Sequence, residues 1–315
     1  MTQKKDMGKI LRQFGLVFVA LIIIIFMSIT SDVFLTSQNI INILRQIAIN
    51  GILAVGMTFV ILTGGIDLSV GSVVGITGVI VGSFLQNGTN WVLASLIALV
   101  ISIICGIING WLIAYIGFQP FIATLSTMTI GRGFAQVWSD GKPYMISDES
   151  FKQIGQGSFL GIPIPIFLLV IFCVIGLVIL MMTTFGRYVF AIGGNMSAAK
   201  LSGVRTQRIQ TMVYVFSSIC AWMAGLILAA RISSGQPNAG ESYEMDAIAA
   251  TAIGGTSMNG GIGSLTGTII GFIILGLLQN SMNLMNINSF WQQIVKGILI
   301  IVAVFLDMRT KGKKN

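Results

Sequence analysis

The sequence predicts an all-α membrane protein whose helices cross the bilayer about ten times. Hydrophobic residues make up 55% of its 315 residues and charged residues only 9%, whereas a soluble domain carries about 25% charged residues. Several apolar runs reach the roughly 18 residues that a helix needs to cross the hydrocarbon core. We therefore expect one transmembrane domain that comprises residues 1–315.

Ten apolar segments are predicted as helical spans. The first apolar run, Phe14–Ile29, lacks a small-x-small cleavage site, so it is interpreted as a retained span rather than a signal peptide. The 38 glycines are interpreted as surfaces on which membrane helices pack closely. The predicted spans are Leu16–Ser31, Ile40–Leu62, Val70–Leu85, Val92–Tyr115, Phe121–Trp138, Ile164–Thr183, Ile209–Ala230, Met245–Thr256, Leu265–Met282 and Phe290–Leu306.

The net charge of +8 is distributed as the positive-inside rule expects of cytoplasmic segments. Its placement in three clusters argues against nucleic acid as a partner. Because the number of predicted spans is even, both termini are expected on one side of the membrane. The positive clusters put that side, together with residues 185–208, in the cytoplasm, and residues 139–163 and 231–244 outside. The clustered cations are Lys4, Lys5, Lys9 and Arg12, then Arg187, Lys200, Arg205 and Arg208, then Arg309, Lys311, Lys313 and Lys314.

The sequence lacks the residues that most enzyme chemistry requires. It contains no histidine, which excludes imidazole acid–base catalysis and His-ligated metals. Cys105, Cys173 and Cys220 lie inside apolar runs, so they are interpreted as small hydrophobic residues. No G-x-x-x-x-G-K-[ST] motif is present to bind ATP phosphates. We expect no catalytic site, metal or cofactor in this chain, so ATP would have to be hydrolysed by another polypeptide.

A polar island from Phe185 to Thr206 interrupts the apolar runs. Asn195 is a candidate N-cap, Met196–Ser202 a candidate two-turn helix, and Gly203 the candidate left-handed residue after it. A short helix between two spans would let a soluble subunit transmit its movement to the membrane helices. The alternative is a loop helix that lies on the membrane surface.

Two further charged segments have two interpretations each. Asp67 either caps the next helix and stabilises a break between helices, or contacts substrate or a partner subunit. A carboxylate in hydrocarbon costs at least about 2.5–3.5 kcal/mol, so this side chain needs polar partners in either case. The charges near the external corner at residues 229–250 either pair internally or face a soluble docking protein. These charges are Arg231, Glu241, Glu244 and Asp246.

Polar side chains inside the spans are candidates for a solute pathway. Amides and hydroxyls both donate and accept hydrogen bonds, which suits an uncharged, polyhydroxylated solute. For each residue, a hydrogen bond that joins two helices is the alternative. Together with Asp67, the pathway candidates are Asn50, Thr124, Asn280, Asn283 and Gln292.

A possible internal repeat relates two glycine-rich segments at an offset of 196 residues. Residues 64–66 recur as residues 260–262, and two later glycines recur at the same offset. Transporters are often built from repeated segments. Chance matching between glycine-rich membrane helices is the alternative.

Four motifs resemble the membrane permease subunit of bacterial ABC importers for monosaccharides. The resemblance extends from about residue 34 to residue 307 and implies a type II-like importer permease in the bacterial inner membrane. The motifs are A-V-G-M-T-F-V-I-L-T-G-G-I-D-L-S-V-G-S at 54–72, G-R-Y-V-F-A-I-G-G-N-M-S-A-A-K-L-S-G-V at 186–204, Y-E-M-D-A-I-A-A-T-A-I-G-G-T-S-M-N-G-G-I-G at 243–263 and F-W-Q-Q-I-V-K-G-I-L-I-I-V-A-V-F-L-D at 290–307.

The resemblance also implies partners. Two copies of this chain would form the pathway, two copies of a separate ATPase subunit would bind ATP and Mg, and a periplasmic or lipid-anchored protein would deliver the sugar. Ribose is the favoured sugar, with xylose, galactose and autoinducer-2 as alternatives. An ion-gradient-driven secondary transporter is the rival mechanism.

In such permeases a cytoplasmic coupling helix docks in a cleft of the ATPase, and residues 195–203 match its position. The segment lacks a perfect E-A-A signature. The residues that the resemblance assigns to ATPase coupling are Asn195, Ala198, Ala199, Lys200, Ser202 and Gly203.

Overall fold

The computed structural model describes the backbone of residues 2–311 and the side chains of residues 15–302 and 305. Lys313 and Lys314 of the predicted C-terminal cluster lie outside the described residues, and the side chains of the other terminal cations lie outside the described side chains. The helices are α1 Thr2–Thr30, α2 Ser37–Leu62, α3 Val70–Gln86, α4 Trp91–Trp111, α5 Pro120–Ser139, α6 Glu149–Gln156, α7 Ile164–Met182, α8 Thr184–Gly194, α9 Met196–Leu201, α10 Thr206–Ile232, α11 Tyr243–Ile253, α12 Leu265–Leu284 and α13 Ser289–Lys311.

Each predicted span falls on one helix, namely α1 to α5, α7 or α10 to α13. Five helices are long and apolar enough to cross a membrane: α2, α4 with the π-helical turn Leu112–Ile116 that follows it, α7, α10 and α12. Shorter apolar helices lie within α1, α3 and α13. The helical class is thus confirmed, and the count of ten crossings stays a prediction.

Short polar side chains explain where several helices begin. Thr36 accepts a hydrogen bond from the Asn39 amide at the start of α2, and Asn90 accepts one from Val92 at the start of α4. Ser264 does the same for the Gly267 amide at the start of α12. These bonds satisfy amide groups that have no partner within the first turn of a helix.

Helices α2 and α10 form the centre of the molecule, and α4 and α7 lie at its surface. The apolar window of α2 is 83% buried, whereas that of α4 is only 28% buried. Residues Ile47–Leu62 of α2 are buried without interruption. The exposed apolar faces of α4 and α7 are therefore the surfaces expected to contact lipid.

Glycine allows α4 to pack directly against α10. A Cβ placed on Gly106 would lie 2.7 Å from the Cα of Val215, and one on Gly110 would lie 2.5 Å from the Cα of Thr211. Real side chains do not fit in that space. The prediction that glycine forms packing surfaces is confirmed at this crossing.

Helix α11 does not cross a bilayer by itself. Its 11 residues rise about 16 Å, roughly half the hydrocarbon thickness. The segment before it, residues 233–242, runs antiparallel to α3: Gly235 lies against Gly78 near the middle of α3, and Gly240 lies against Gly71 near its start. The helix predicted for Met245–Thr256 is thus present as α11, and its role as a complete crossing stays a prediction.

The external loop predicted at residues 139–163 contains regular structure. Its strand β1, Tyr144–Met145, pairs antiparallel with β4, Ser234–Gly235, at the start of the segment beside α3. Strands β2, Ser158–Phe159, and β3, Ile162–Pro163, form a hairpin. Helix α6 buries Phe151 in an apolar cluster with side chains of α3 and α10, among them Ile80 and Leu226. The loop therefore holds the end of α10 and the segment after it in place.

The two glycine-rich segments of the possible repeat meet in space. Each follows the end of a helix, α2 or α11, and precedes an apolar helix, α3 or α12. The Gly261 amide donates a hydrogen bond to the Leu62 carbonyl across a distance of 2.9 Å. Both segments of the possible repeat thus have the same arrangement, in which a glycine turn joins two helices. The two turns lie at the same end of the bundle.

Candidate functional site

The polar island folds into two short helices joined at Asn195. Thr183 caps α8, its hydroxyl accepting from the Gly186 amide at 3.2 Å. Asn195 is extended and its side-chain oxygen accepts from the Ala198 amide at 2.9 Å, which starts α9. Gly203 follows the helix with φ of +83°, and the Val204 amide donates to the Ala199 carbonyl at 3.1 Å. The predicted cap, short helix and left-handed glycine are confirmed, whereas α8 was not predicted.

Helix α9 presents most of its surface to the outside. Asn195, Ala198, Lys200, Ser202 and Gly203 are all exposed. Ala199, by contrast, is only 6% exposed, so it packs against this chain and is not free to contact a partner directly.

Two apolar side chains that the sequence prediction omitted are the most prominent features of α9. Leu201 is 89% exposed and Met196 is 43% exposed. Single exposed apolar side chains are common on protein surfaces, so the sequence held no signal that set these two residues apart.

Both glycine turns lie beside the end of α8, directly before α9. A Cβ placed on Gly193 would collide with the Leu62 carbonyl, and one on Gly261 would lie 2.7 Å from the Gly194 backbone. The end of α2 and the turn at residues 260–261 therefore meet the end of α8 at one end of the bundle. A displacement of α9 would be transmitted to α2 and α11 through this junction.

Asp67 is fully buried within the turn between α2 and α3. Its Oδ1 accepts from the Ser69 amide at 3.0 Å and from the Ser69 hydroxyl at 2.6 Å, while Oδ2 accepts from the Ser217 hydroxyl at 2.8 Å. Asn109 donates to the Ser69 hydroxyl at 2.9 Å. Of the two interpretations of Asp67, this geometry favours a carboxylate that stabilises the break between helices.

A second buried carboxylate, Asp246 on α11, is paired with a lysine. Lys296 Nζ lies 2.8 Å from Asp246 Oδ1 and 3.0 Å from Oδ2, and Asn50 Nδ2 donates to Oδ2 at 3.4 Å. Both Asp246 and its neighbour Glu244 are buried, at 4% and 9% exposure. For Asp246, internal pairing is thus the better of the two interpretations.

Of the four residues proposed to face a docking protein, only Glu241 is exposed, and Arg231 is half-buried. Their docking role stays a prediction. Lys296 was absent from the predicted sites, although a single lysine within an apolar helix was a signal for a buried partner.

The remaining pathway candidates do not form one site. Asn280 Nδ2 donates to Asn39 Oδ1 at 2.8 Å, and Asn280 Oδ1 accepts from Asn39 Nδ2 at 3.2 Å, so this pair joins α12 to α2. At the end of α12, Gln292 Nε2 donates to Asn283 Oδ1 at 2.8 Å. Thr124 lies elsewhere, on α5, and its hydroxyl lies 3.2 Å from the Ile66 carbonyl.

An arginine on α5 holds the segment that lies beside α3. Its contact with that segment was not predicted from the sequence. Arg132 Nη1 on α5 donates to the carbonyls of Pro237 and Ala239, both at 2.7 Å. Two side chains of this segment, Gln236 and Asn238, are exposed. On α5, Ser126 and Thr129 are exposed within a stripe that also exposes Leu125, Ile130 and Phe134. We call the exposed polar side chains of α5 and residues 236–241 the polar face.

The comparisons with known proteins agree with this architecture. The model of the branched-chain amino acid transport system permease component family matches residues 39–304. The ribose import permease protein RbsC of Bacillus subtilis (strain 168) is 47% identical to the chain over 290 residues, covering 91% of this chain and 90% of that protein. RbsC of Escherichia coli (strain K12) is 42% identical over 291 residues, covering 91% of both.

A more distant relative carries a different sugar in its name. The xylose transport system permease protein XylH of Escherichia coli (strain K12) is 33% identical over 367 aligned residues, covering 96% of this chain and 93% of that protein. No solved structure matches the chain significantly.

Proposed function

The chain belongs to the branched-chain amino acid transport system permease component family, and from this premise we propose that it is the permease subunit of an ABC importer for ribose. The observation that carries the proposal is 47% identity to a ribose import permease over 91% of the chain. Xylose is the second candidate because the xylose permease is 33% identical over nearly the whole chain. The protein is a multi-pass protein of the bacterial cell (inner) membrane.

ATP hydrolysis belongs to a separate ATPase subunit in this proposal, and two copies of that subunit bind ATP and Mg. Helix α9 is the docking element, since it is a capped, exposed helix with Leu201 at its tip. Gly193 and Gly261 link it to α2 and α11. Closure of the ATPase dimer would move this junction and change access to the pathway.

The pathway itself lies between two copies of the chain in this proposal. Its wall is the polar face of α5 and residues 236–241, because exposed polar groups at membrane depth are costly against lipid and suit a water-filled cavity. Ten crossings, counting α11 with its preceding segment as one, place both termini in the cytoplasm. A sugar-binding protein delivers ribose from outside.

Reconstituted uptake tests the function. Proteoliposomes that hold the permease and its ATPase, with the binding protein outside and ATP inside, are expected to accumulate labelled ribose. Xylose in tenfold excess should compete weakly. Liposomes that hold the permease alone, or the complex without ATP, should show no uptake above background.

Two results would contradict the proposal. Uptake by the permease alone that an uncoupler abolishes would identify a secondary transporter. Equal competition by ribose and xylose for the complete system would remove the assignment of ribose while leaving the ABC class intact.

A further inference from the structure

A cationic cleft opens where α9 meets α10. Its volume is about 320 Å³, and it is lined by Tyr115, Lys200 and residues 204–208. Lys200, Arg205 and Arg208 bring three positive charges to it, and all three side chains are exposed. Among the residues that the structure describes, none of these cations forms a salt bridge. The cleft therefore suits an anion.

An apolar groove lies on the outer surface between α7, α8 and α10. Its volume is about 420 Å³, and Ile179, Phe185, Met212, Val215 and Ile219 line most of it. Both α7 and α10 are long and apolar enough to span a membrane. At this depth the natural occupant of an open apolar groove is an acyl chain.

The cleft and the groove follow one face of α10. Along α10, Arg208 of the cleft is followed by Met212, Val215 and Ile219 of the groove at intervals of four, three and four residues. This spacing places all four side chains on the same side of the helix. From Arg208 to Ile219 the helix rises about 16 Å, close to half of the roughly 30 Å hydrocarbon core. That length matches one leaflet.

We propose that the cleft and the groove together bind one anionic phospholipid of the cytoplasmic leaflet. The headgroup phosphate contacts Arg205 and Arg208, and one acyl chain follows the face of α10. Tyr115 is 48% exposed at the end of the apolar face of α4, where aromatic residues mark a membrane interface. A soluble anion would use only the cleft and leave the groove uncovered, so the continuous face favours a lipid.

The site has a consequence for regulation. Lys200 belongs to α9, so a lipid in the cleft touches the element proposed to dock the ATPase. The efficiency of coupling is then expected to depend on the anionic lipid content of the membrane. This consequence rests on the proposed function, whereas lipid binding itself requires only that α7 and α10 lie in the membrane.

Native mass spectrometry of the purified full-length chain in a neutral detergent tests the binding. Phosphatidylglycerol should bind more tightly than phosphatidylcholine with the same acyl chains. Arg208→Ala should weaken phosphatidylglycerol binding about fivefold and leave phosphatidylcholine unchanged, because each cation near anionic lipid contributes about 1 kcal/mol. Arg208→Lys keeps the charge and should bind nearly as the parent does. Met212→Trp fills the groove and should weaken binding of both lipids.

Arg187→Ala is the matched control, since Arg187 is an exposed cation on α8 that does not line the cleft. Equal affinity for the two lipids, or equal losses in Arg187→Ala and Arg208→Ala, would overturn the proposal. Displacement of phosphatidylglycerol by an equal concentration of glycerol 3-phosphate would identify a soluble phosphate ligand instead. Unchanged unfolding temperatures of the variants exclude misfolding as the cause. The assay uses neither sugar nor ATPase, so its failure leaves the proposed function standing.

Discussion

Single residues show that charges inside the helix bundle are held by specific polar partners. Asp246 forms an ion pair with Lys296 and accepts a hydrogen bond from Asn50. Asp67 accepts hydrogen bonds from two serine hydroxyls, and Arg132 donates to two backbone carbonyls. An ionised side chain without such partners would be expensive away from water. These residues are therefore required by the fold itself, whatever else they do in transport.

Lys296→Met is expected to destabilise the protein by about 3–5 kcal/mol, because it leaves the Asp246 carboxylate buried without its cation. The double variant Asp246→Asn/Lys296→Met should regain most of that loss, since no charge then remains unpaired. Thermal unfolding of the purified protein in detergent measures both effects.

An exposed ion pair of this chain provides the control. Lys142 lies 3.4 Å from Asp140, and their side chains are 80% and 90% exposed, so Lys142→Met should cost less than about 1 kcal/mol. A Lys296→Met variant as stable as the Lys142→Met variant would contradict the structural role assigned to the buried pair.

At the scale of elements, the junction of α8 with the two glycine turns is the narrowest point between the proposed docking helix and the bundle. The polar island is exposed along α9, but Gly193 lies against Leu62 and Gly261 where α8 ends. Only backbone fits between these elements. Tight packing of this kind transmits displacement, because packed interfaces do not deform continuously.

Two adjacent glycines allow a matched test of this junction. Gly193→Ala places a methyl group against the Leu62 carbonyl and should destabilise the protein by about 1–3 kcal/mol. Transport per ATP hydrolysed by the reconstituted complex should fall as well. Gly194→Ala, whose Cβ would meet nothing within 4 Å, should be neutral or stabilising by up to about 1 kcal/mol. Identical behaviour of the two variants would contradict a tight junction.

On the scale of the whole molecule, different faces suit different neighbours. The outer faces of α4 and α7 are apolar, whereas the polar face of α5 and residues 236–241 adds hydroxyl and amide groups to a stripe that also exposes Ile130 and Phe134. A homodimer that encloses the polar face would keep those groups in water and leave the apolar faces in lipid.

Cross-linking distinguishes these faces. In a background without Cys105, Cys173 and Cys220, Thr129→Cys on the polar face should give mostly covalent dimer with a short bismaleimide in native membranes. Ile107→Cys, which is 47% exposed on the apolar face of α4, should give little. Comparable dimer yields at both positions would argue against a pathway between two copies.

The sequence alone determined the features that depend on residues near one another in the chain. The positions of the long helices follow from apolar runs, and the ends of α9 follow from Asn195 and Gly203, because caps and left-handed turns are local interactions. Motifs spread along the chain were enough to indicate the family, which the comparisons confirmed.

Only the tertiary structure decided which polar residues belong together. For Asp246 the sequence left internal pairing and docking open, and the structure pairs it with Lys296, 50 residues away, whereas Ala199 was assigned to a partner contact although it packs inward. The short length of α11 and the non-helical segment before it likewise depend on packing against α3, where Gly235 and Gly240 lie against Gly78 and Gly71. Pairings over such separations are set by how the helices pack, and hydrophobic periodicity indicates that a residue is in a helix without indicating what it faces there.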